Sequence, residues 1–518
     1  MDEVKGVSGL HMEKPDQENR REINTALENN VQAVKAVVSA VEGTIGPKGM
    51  DCMIVDEEGQ FIITNDGVTI LMEMDVTHPA AVMMVNAAYA QQCQVGDGTT
   101  TMSVIAGAML QSALFQSQRG VSVHKIIEGL RLGTEEAIKF IKEKRICIGK
   151  EDQELARAVA RVAGRAQMDL VDLICQASSH VGEEKMKEKG FRFSDSITAI
   201  EGTENEVLKG IIIDRKPLNM KPVDLLQDVK ILIVDDALQP EALRDELLNT
   251  ENGFSQYIEN RRVFENWIKK MIHMKIGAVF TDRSIDEDGE QALTDAGILV
   301  VGSVLKEQLI RLAAYTGARP VKRGVLNKPP EELEGYCGYA GKICYDSELE
   351  HIRIMEGMGE PMTTVIVSAS TGAVAKEKER VAKDAASALQ AAIKSGIVAG
   401  GGAIELACAI HLEKIRNAMD GLAKYGVDCV IDGLKKPIYH IVQNAGYNPL
   451  EKLERVIEAG KSSGNIHLGV DCEDGEVKDL FALGIVDPAL VKIAALKTAC
   501  EISEAILKIH LIIKGKNM

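Results

Sequence analysis

At 518 residues, with 45% hydrophobic and 26% charged positions, the chain has the make-up of an ordinary globular protein with room for about three domains. Its net charge of −17 argues against nucleic acid or an anionic membrane surface as the main partner, because either would repel it. No apolar run approaches the roughly 18 residues of a membrane span. The segment Met1–Asn24 is polar and acid-bearing rather than a secretion signal. The ten dispersed cysteines form no C-x-x-C pair and read as reduced, mostly buried thiols of a cytosolic protein.

In chain order, Leu27, Val31, Val34, Val38, Val41 and Ile45 recur at spacings of four and three, which predicts a helix with one apolar face. Cys52-Met53-Ile54-Val55 and Phe61-Ile62-Ile63 flank Glu57-Glu58-Gly59 and predict a β-hairpin. A long Ala/Met/Val-rich stretch runs from His78 to Gln94. The run Thr99–Thr101 opens a further helix, with Val104, Ile105, Ala108 and Met109 on its apolar face and a stop near Gly120. In the middle of the chain, Lys230–Asp235, Gly277–Phe280 and Ile298–Val301 are short apolar runs between amphipathic stretches, the β/α alternation of a buried sheet. After about residue 363 the pattern turns helical again, through the Ala-rich stretch Val381–Ile397 to Leu507. Helical ends around a mixed centre predict a nested, multi-domain α/β design. The two ends pack as one domain, a second pair of segments connects, and the centre is inserted.

Neither common phosphate loop is present: there is no G-x-x-x-x-G-K-[ST], and no G-x-G-x-x-G between a strand and a helix. Short Asp- and Gly-rich signals are spread along the chain instead. Asp97-Gly98-Thr99-Thr100-Thr101 is the strongest. It reads as an N-cap, and the same free amides and hydroxyls suit a phosphate, with Asp97 available to Mg²⁺. Alone, Asn65-Asp66-Gly67 reads as a turn and Thr44-Ile45-Gly46-Pro47 as a helix stop. Ala399-Gly400-Gly401-Gly402 reads as a joint between helices, Asp384 as a helix-face residue, and Asp487-Pro488 as a helix start with Asp as N-cap. Jointly they supply what a nucleoside triphosphate needs: close backbone approach, hydroxyls and amides for phosphate, and carboxylates for a metal and a water.

Taken with their flanks, these segments resemble the chaperonin family. The stretches that carry the resemblance are Gly46-Pro-Lys-Gly-Met-Asp51, Ile63-Thr-Asn-Asp-Gly-Val-Thr-Ile-Leu71, Val95-Gly-Asp-Gly-Thr-Thr-Thr101 and Val398-Ala-Gly-Gly-Gly-Ala-Ile-Glu405, within a likeness running from about residue 20 to 512. Glu73–Ala81 and Asp487–Lys497 are similar to the archaeal and eukaryotic group II proteins. Val367–Arg380 and the spacing of Lys394–Gly402 are similar to bacterial group I. The mixture resembles the group II-like chaperonins of some bacteria, often called group III.

The resemblance implies a chaperonin fold of the 60-kDa chaperonin/thermosome type. A helical equatorial domain (1–140 plus 396–518) would bind ATP and make ring contacts, and a small intermediate domain (141–207 plus 362–395) would act as hinge. An α/β apical domain (208–361) would bind clients and carry a helical protrusion, about 237–274, as a built-in lid. It implies an ATPase that uses ATP and Mg²⁺. Thr44, Ile45, Gly46 and Pro47 would line the adenosine and phosphate side, with Asn65 in the same pocket. Gly98, Thr99, Thr100 and Thr101 would cradle the β- and γ-phosphates, Gly401 would pack on the nucleotide, and Asp487 would bind ribose hydroxyls. Asp97 would hold Mg²⁺, while Asp66 and Asp384 would be the catalytic carboxylates that position the attacking water. The implied partners are unfolded or partly folded proteins and further copies of the chain in two stacked rings, without a separate co-chaperonin, nucleic acid or membrane, in the cytoplasm.

One departure from group II is the absence, around Arg161–Gln167, of the lysine that senses the γ-phosphate; either Arg165 substitutes or the sensing differs. In the lid region, Leu243, Leu247 and Leu248 share a face of Glu241–Leu248, and Asn252-Gly253 breaks it from a second stripe. That stripe, Phe264, Trp267, Ile268, Met271 and Ile272, either packs on the apical sheet or is open to clients. The competing readings are a group I protein with an external cap, a chaperonin-like scaffold with little turnover, and a monomeric phosphotransferase.

Overall fold

A computed structural model describes residues 15–55, 59, 61–149, 152–218, 225–242 and 251–512. The chain forms two compact units, Met1–Val171 with Lys383–Met518, and Asp172–Ala382.

The first unit is a helical bundle built around the helix Thr99–Gln118, on which Pro15–Val41, Lys424–Asn444 and Ala489–Leu507 all pack. The four-and-three spacing at its start is borne out: Leu27, Val31, Val34, Val38 and Val41 are all buried in one core. Ile45 is not on that helix, which gives way to a 3₁₀ turn at Glu42–Thr44 and leaves Ile45 extended. Phe140 is the one aromatic among the buried members of this core, which Ala, Val, Ile, Leu and Met otherwise fill. Small side chains let the helices approach closely, which suits a chain with 4% aromatics. Cys52–Val55 and Phe61–Thr64 pair antiparallel as the expected hairpin, although Glu57 and Glu58 lie outside the described residues.

The second unit holds a six-stranded mixed sheet, in the order Gly210–Ile213, His351–Gly357, Gly338–Asp346, Leu226–Val234, Ala278–Thr281, Leu299–Val301. The three runs expected as buried strands are its parallel half. Alternate residues of Leu226–Val234 serve opposite faces: Ile231 and Ile233 in one core, Leu232 and Val234 in the other. A separate three-stranded sheet joins Ile197–Ala199, Thr364–Val367 and Glu206–Leu208. Its middle strand corrects the expectation that the chain turns helical from residue 363: the helix begins only at Gly372, and ends at Ser395 ahead of a strand at Ile397–Ala399.

The helix Glu251–His273 includes Asn252-Gly253 in its first turn, so that pair is no break. Phe264, Trp267, Ile268 and Met271 pack on the large sheet, while Ile272 is exposed. Leu243, Leu247 and Leu248 lie outside the described residues. No cysteine forms a disulfide, but only Cys337, Cys408, Cys429 and Cys500 are buried, and Cys93 and Cys147 are exposed; thiols here are less buried than composition suggests. Among the described residues, no helix is long and apolar enough to cross a membrane.

Candidate functional site

The dispersed Asp/Gly signals all lie in the first unit, and those around Asp66, Asp384 and Asp487 meet at the N-terminus of the helix Thr99–Gln118. Its first backbone bond runs from the Met102 N–H to the Gly98 carbonyl. The Thr99, Thr100 and Thr101 amides therefore precede the helical ladder, at the positive end of the dipole. The N-cap is Gly98, not Asp97. Gly98 has φ +82, and a Cβ there would lie 2.6 Å from Val491 Cγ1. Asp97 is thus freed from capping, which corrects the simplest reading of the motif. Its Oδ1 accepts from the Gly98 N–H at 2.5 Å, and Gln91 Nε2 donates to its carbonyl at 3.0 Å.

Around this pole the other segments take fixed places. Asp66 caps the helix Gly67–Glu73, accepting from the Thr69 N–H at 3.1 Å and the Thr69 hydroxyl at 2.6 Å. Gly67 lies so close to Thr99 and Thr100 that a Cβ would collide with the Thr100 hydroxyl, so Asn65-Asp66-Gly67 is more than a surface turn. Asn65 Oδ1 is buried with no donor among the described residues. Thr44–Pro47 is tied to the helix Lys424–Asn444: Asn444 Nδ2 donates to the carbonyls of Glu42 and Ile45 at 3.0 Å each. The Thr44 hydroxyl donates to Val41 O at 2.8 Å.

Asp487 pairs opposite Val398 in an antiparallel ladder, Ile397–Ala399 with Val486–Pro488. The next helix is capped by Pro488, so Asp487 is not its N-cap. Its carboxylate instead binds Lys492 Nζ at 2.7 Å. Gly400 faces that carboxylate, with space for a Cβ only 3.0 Å from its carbon, whereas Gly401 is directed at Leu480. Asp384 lies one turn before Ser387, whose hydroxyl would be 2.5 Å from a Cβ at Gly96. A spacing of three puts both on one face of the helix Gly372–Ser395. Arg165 is exposed in the turn after Gln153–Ala163, with φ +50.

Two participants escaped the sequence reading. Lys492 is buried and bridges Asp487 and Glu405, each at 2.7 Å. Burial alone would lower its ammonium, but the two carboxylates hold it above the usual lysine value. Gln91, fully buried, supports the Asp97 backbone. Neither carries a local signal: a lysine on a helix normally reads as solvated, and only burial marks this one.

The electrostatics favour a cation beside Asp97. Burial pushes its carboxyl from 3.8 up to about 6; the Gly98 N–H opposes this, Asp487 and Asp66 add repulsion, and Lys492 offsets part of it. No cluster of three or more His, Cys, Asp or Glu forms a metal cage among the described residues. A carboxylate beside free helix N-terminal amides fits Mg²⁺, which takes one or two protein carboxylates and fills its other positions with anionic oxygens and water.

The TCP-1/cpn60 chaperonin family model matches residues 37–517. The chain belongs to that family. It is an ATP-dependent folding chaperonin subunit and an ATPase. The chaperonin is 31% identical to a thermosome subunit of Methanopyrus kandleri, over 94% of this chain and 92% of that protein. It is 32% identical to the thermosome subunit alpha of Thermoplasma acidophilum, over 96% and 93%. A crystal structure of a group III chaperonin in the open state superposes with a TM-score of 0.86 at 38% identity, covering 95% of this chaperonin and all of that chain.

Proposed function

We propose that the pole of the helix Thr99–Gln118 is the nucleotide site of this chaperonin and that its carboxylates divide the work of hydrolysis. Thr99, Thr100 and Thr101, with Gly98, receive the β- and γ-phosphates on free amides and hydroxyls. Asp97 holds Mg²⁺, which supplies charge neutralisation on the phosphates when bound. Thr44, Ile45, Gly46, Pro47 and Asn65 line the nucleotide, Asp487 takes the ribose hydroxyls, and Gly401 shapes the floor beside it. Asp66 and Asp384 orient the attacking water, a role that suits phosphoryl transfer, where positioning and charge stabilisation do most of the work. The observation that carries this reading is the half-buried Asp97 carboxylate, released from capping at a helix N-terminus where the segments around Asp66, Ser387 and Asp487 come together.

The same reading extends to the assembly. In it the equatorial domain takes 1–140 plus 396–518, the intermediate domain 141–207 plus 362–395 and the apical domain 208–361, with the second unit's sheet as the apical body. The strands Cys52–Val55 and Phe61–Thr64 pair with no other strand among the described residues and expose Met53, Val55, Phe61, Ile62 and Ile63, which supports burial against a neighbouring copy in a homo-oligomeric double ring. The first half of the helix Glu251–His273 exposes Phe254, Tyr257 and Ile258 at spacings of three and four, which supports a built-in lid and client surface requiring no separate co-chaperonin. Ten cysteines outside any disulfide fit a cytoplasmic protein.

Electron microscopy with and without ATP and a transition-state phosphate analogue, alongside an ATPase assay, tests the whole reading. Double rings that close without added protein support it. Open rings transfer closure to an external cap, rings without turnover indicate a scaffold, and monomers sink the chamber.

A further inference from the structure

Within the second unit the chain passes twice between the three-stranded and the six-stranded sheet. It goes from Glu206–Leu208 to Gly210–Ile213 through Lys209, and from His351–Gly357 back to Thr364–Val367. Such ends of elements are where hinges form. An ion pair spans this joint: Arg353 Nη1, on the large sheet, donates to Glu206 Oε2, on the small one, at 2.9 Å. The same guanidinium donates through Nε to His351 Nε2 at 3.0 Å. His351 is 1% exposed. An Nε2 that accepts leaves the ring proton on Nδ1, so this imidazole is neutral.

We propose that His351 is an acid-sensitive catch on this joint. Neutral, it holds Arg353 onto Glu206; protonated, its Nε2 becomes a donor, expels the guanidinium and loosens the two sheets from each other. Arg353 cannot adapt, because a guanidinium neither deprotonates nor accepts. The groups that face the ring make the charged form tolerable without unfolding. Asp346 lies opposite His351 on Gly338–Asp346, and Asp214 follows Ile213 on the other neighbouring strand. Cys344, opposite Arg353, meets the guanidinium instead. Burial and then Arg353 hold the ring below the usual histidine value of 6.5, while Asp346, the Leu349 carbonyl and Asp214 oppose them. The catch is therefore closed above that value and opens as pH falls through the lower folded one. In the proposed assembly this is the joint between the apical and intermediate domains; the device does not depend on that reading, since its test follows hydrogen exchange and not folding activity.

Amide hydrogen exchange of the full-length protein at pH 7.5 and pH 5, with labelling times scaled to the intrinsic rates, tests the proposal on peptides from 197–213 and 351–367. Protection there should fall about fivefold or more at pH 5 in the wild type. His351→Gln keeps an oxygen for Arg353 at every pH and should hold its protection. Arg353→Met lacks the tie altogether and should show the lower protection at both pH values. The control His124→Gln, exposed in the first unit, should behave as the wild type. No loss of protection in the wild type, or a loss that survives in His351→Gln or Arg353→Met, overturns the proposal. An equal loss in the strands Leu468–Val470 and Val477–Asp479 of the first unit would mark general acid unfolding and overturn it as well.

Discussion

Replacing Asp97 by Asn separates the cost of the site from its use. The substitution keeps the side-chain shape and an oxygen to accept the Gly98 N–H, and removes a charge that burial penalises. A carboxyl raised from 3.8 to about 6 makes the native state bind the proton more tightly than the unfolded chain does. Stability therefore falls as pH rises through that window and stays at its lower value above it. At about 1.36 kcal/mol per pH unit, ionised Asp97 costs about 3 kcal/mol at pH 7.5 and roughly half of that at pH 5. In EDTA, without nucleotide, Asp97→Asn is accordingly expected to be about 3 kcal/mol more stable than the wild type at pH 7.5 and about 1.5 at pH 5. Urea unfolding followed by far-ultraviolet circular dichroism measures this at fixed subunit concentration. Tryptophan fluorescence would miss it, because Trp267, the sole tryptophan, lies in the other unit. Addition of Mg²⁺ and ATP at about 100 times the dissociation constant should stabilise the wild type by about 2.7 kcal/mol and the variant by far less, nearly closing the gap. A variant no more stable than the wild type at pH 7.5, or an advantage that does not change between pH 5 and 7.5, would refute the argument.

Lys492→Met strands Glu405 and Asp487 without their cation and should cost about 3–5 kcal/mol; adding Glu405→Gln should restore part of it, read from the same urea midpoints. Asp384→Ala is expected to slow single-turnover ATP hydrolysis about 10²–10⁴-fold while nucleotide affinity stays within severalfold, since an orienting carboxylate acts on the water and not on the phosphates. Equal losses in binding and turnover would remove Asp384 from that role. Phe264→Ala empties a buried site that meets Trp267 edge-on at 6.2 Å, and should destabilise the second unit by about 3–5 kcal/mol with a shift in tryptophan emission. Phe254→Ser, at an exposed position, should change stability by under about 0.5 kcal/mol yet weaken capture of an unfolded client, measured as loss of aggregation suppression.

The candidate site was legible as a set of segments and much less so as an arrangement. Asp97-Gly-Thr-Thr-Thr announced a helix start, but an Asp before a helix is ordinarily its cap. That Gly98 takes the cap position depends on its φ of +82 and on Val491, nearly four hundred residues along the chain. Asp487-Pro488 read as a helix start with Asp as N-cap for the same local reason, whereas its strand pairing with Ile397–Ala399 turns Asp487 to Lys492. The strand Thr364–Val367 was missed because four residues carry too little periodicity, and both its partners lie well over a hundred residues earlier.

What the sequence determined by itself was whatever depends on neighbours along the chain. The apolar stripe Leu27–Val41, the hairpin, the buried parallel strands and the order of the Asp/Gly motifs are of this kind, because helical and strand periods and turn chemistry act over a few residues. Only the tertiary structure decided which polar groups are buried together. Asp97 against Asp66 and Asp487, Lys492 between two carboxylates, and His351 beside Asp214 all arise where distant segments exclude water from one another. Desolvation, which sets the worth of a charge or a hydrogen bond, is a property of the packed whole.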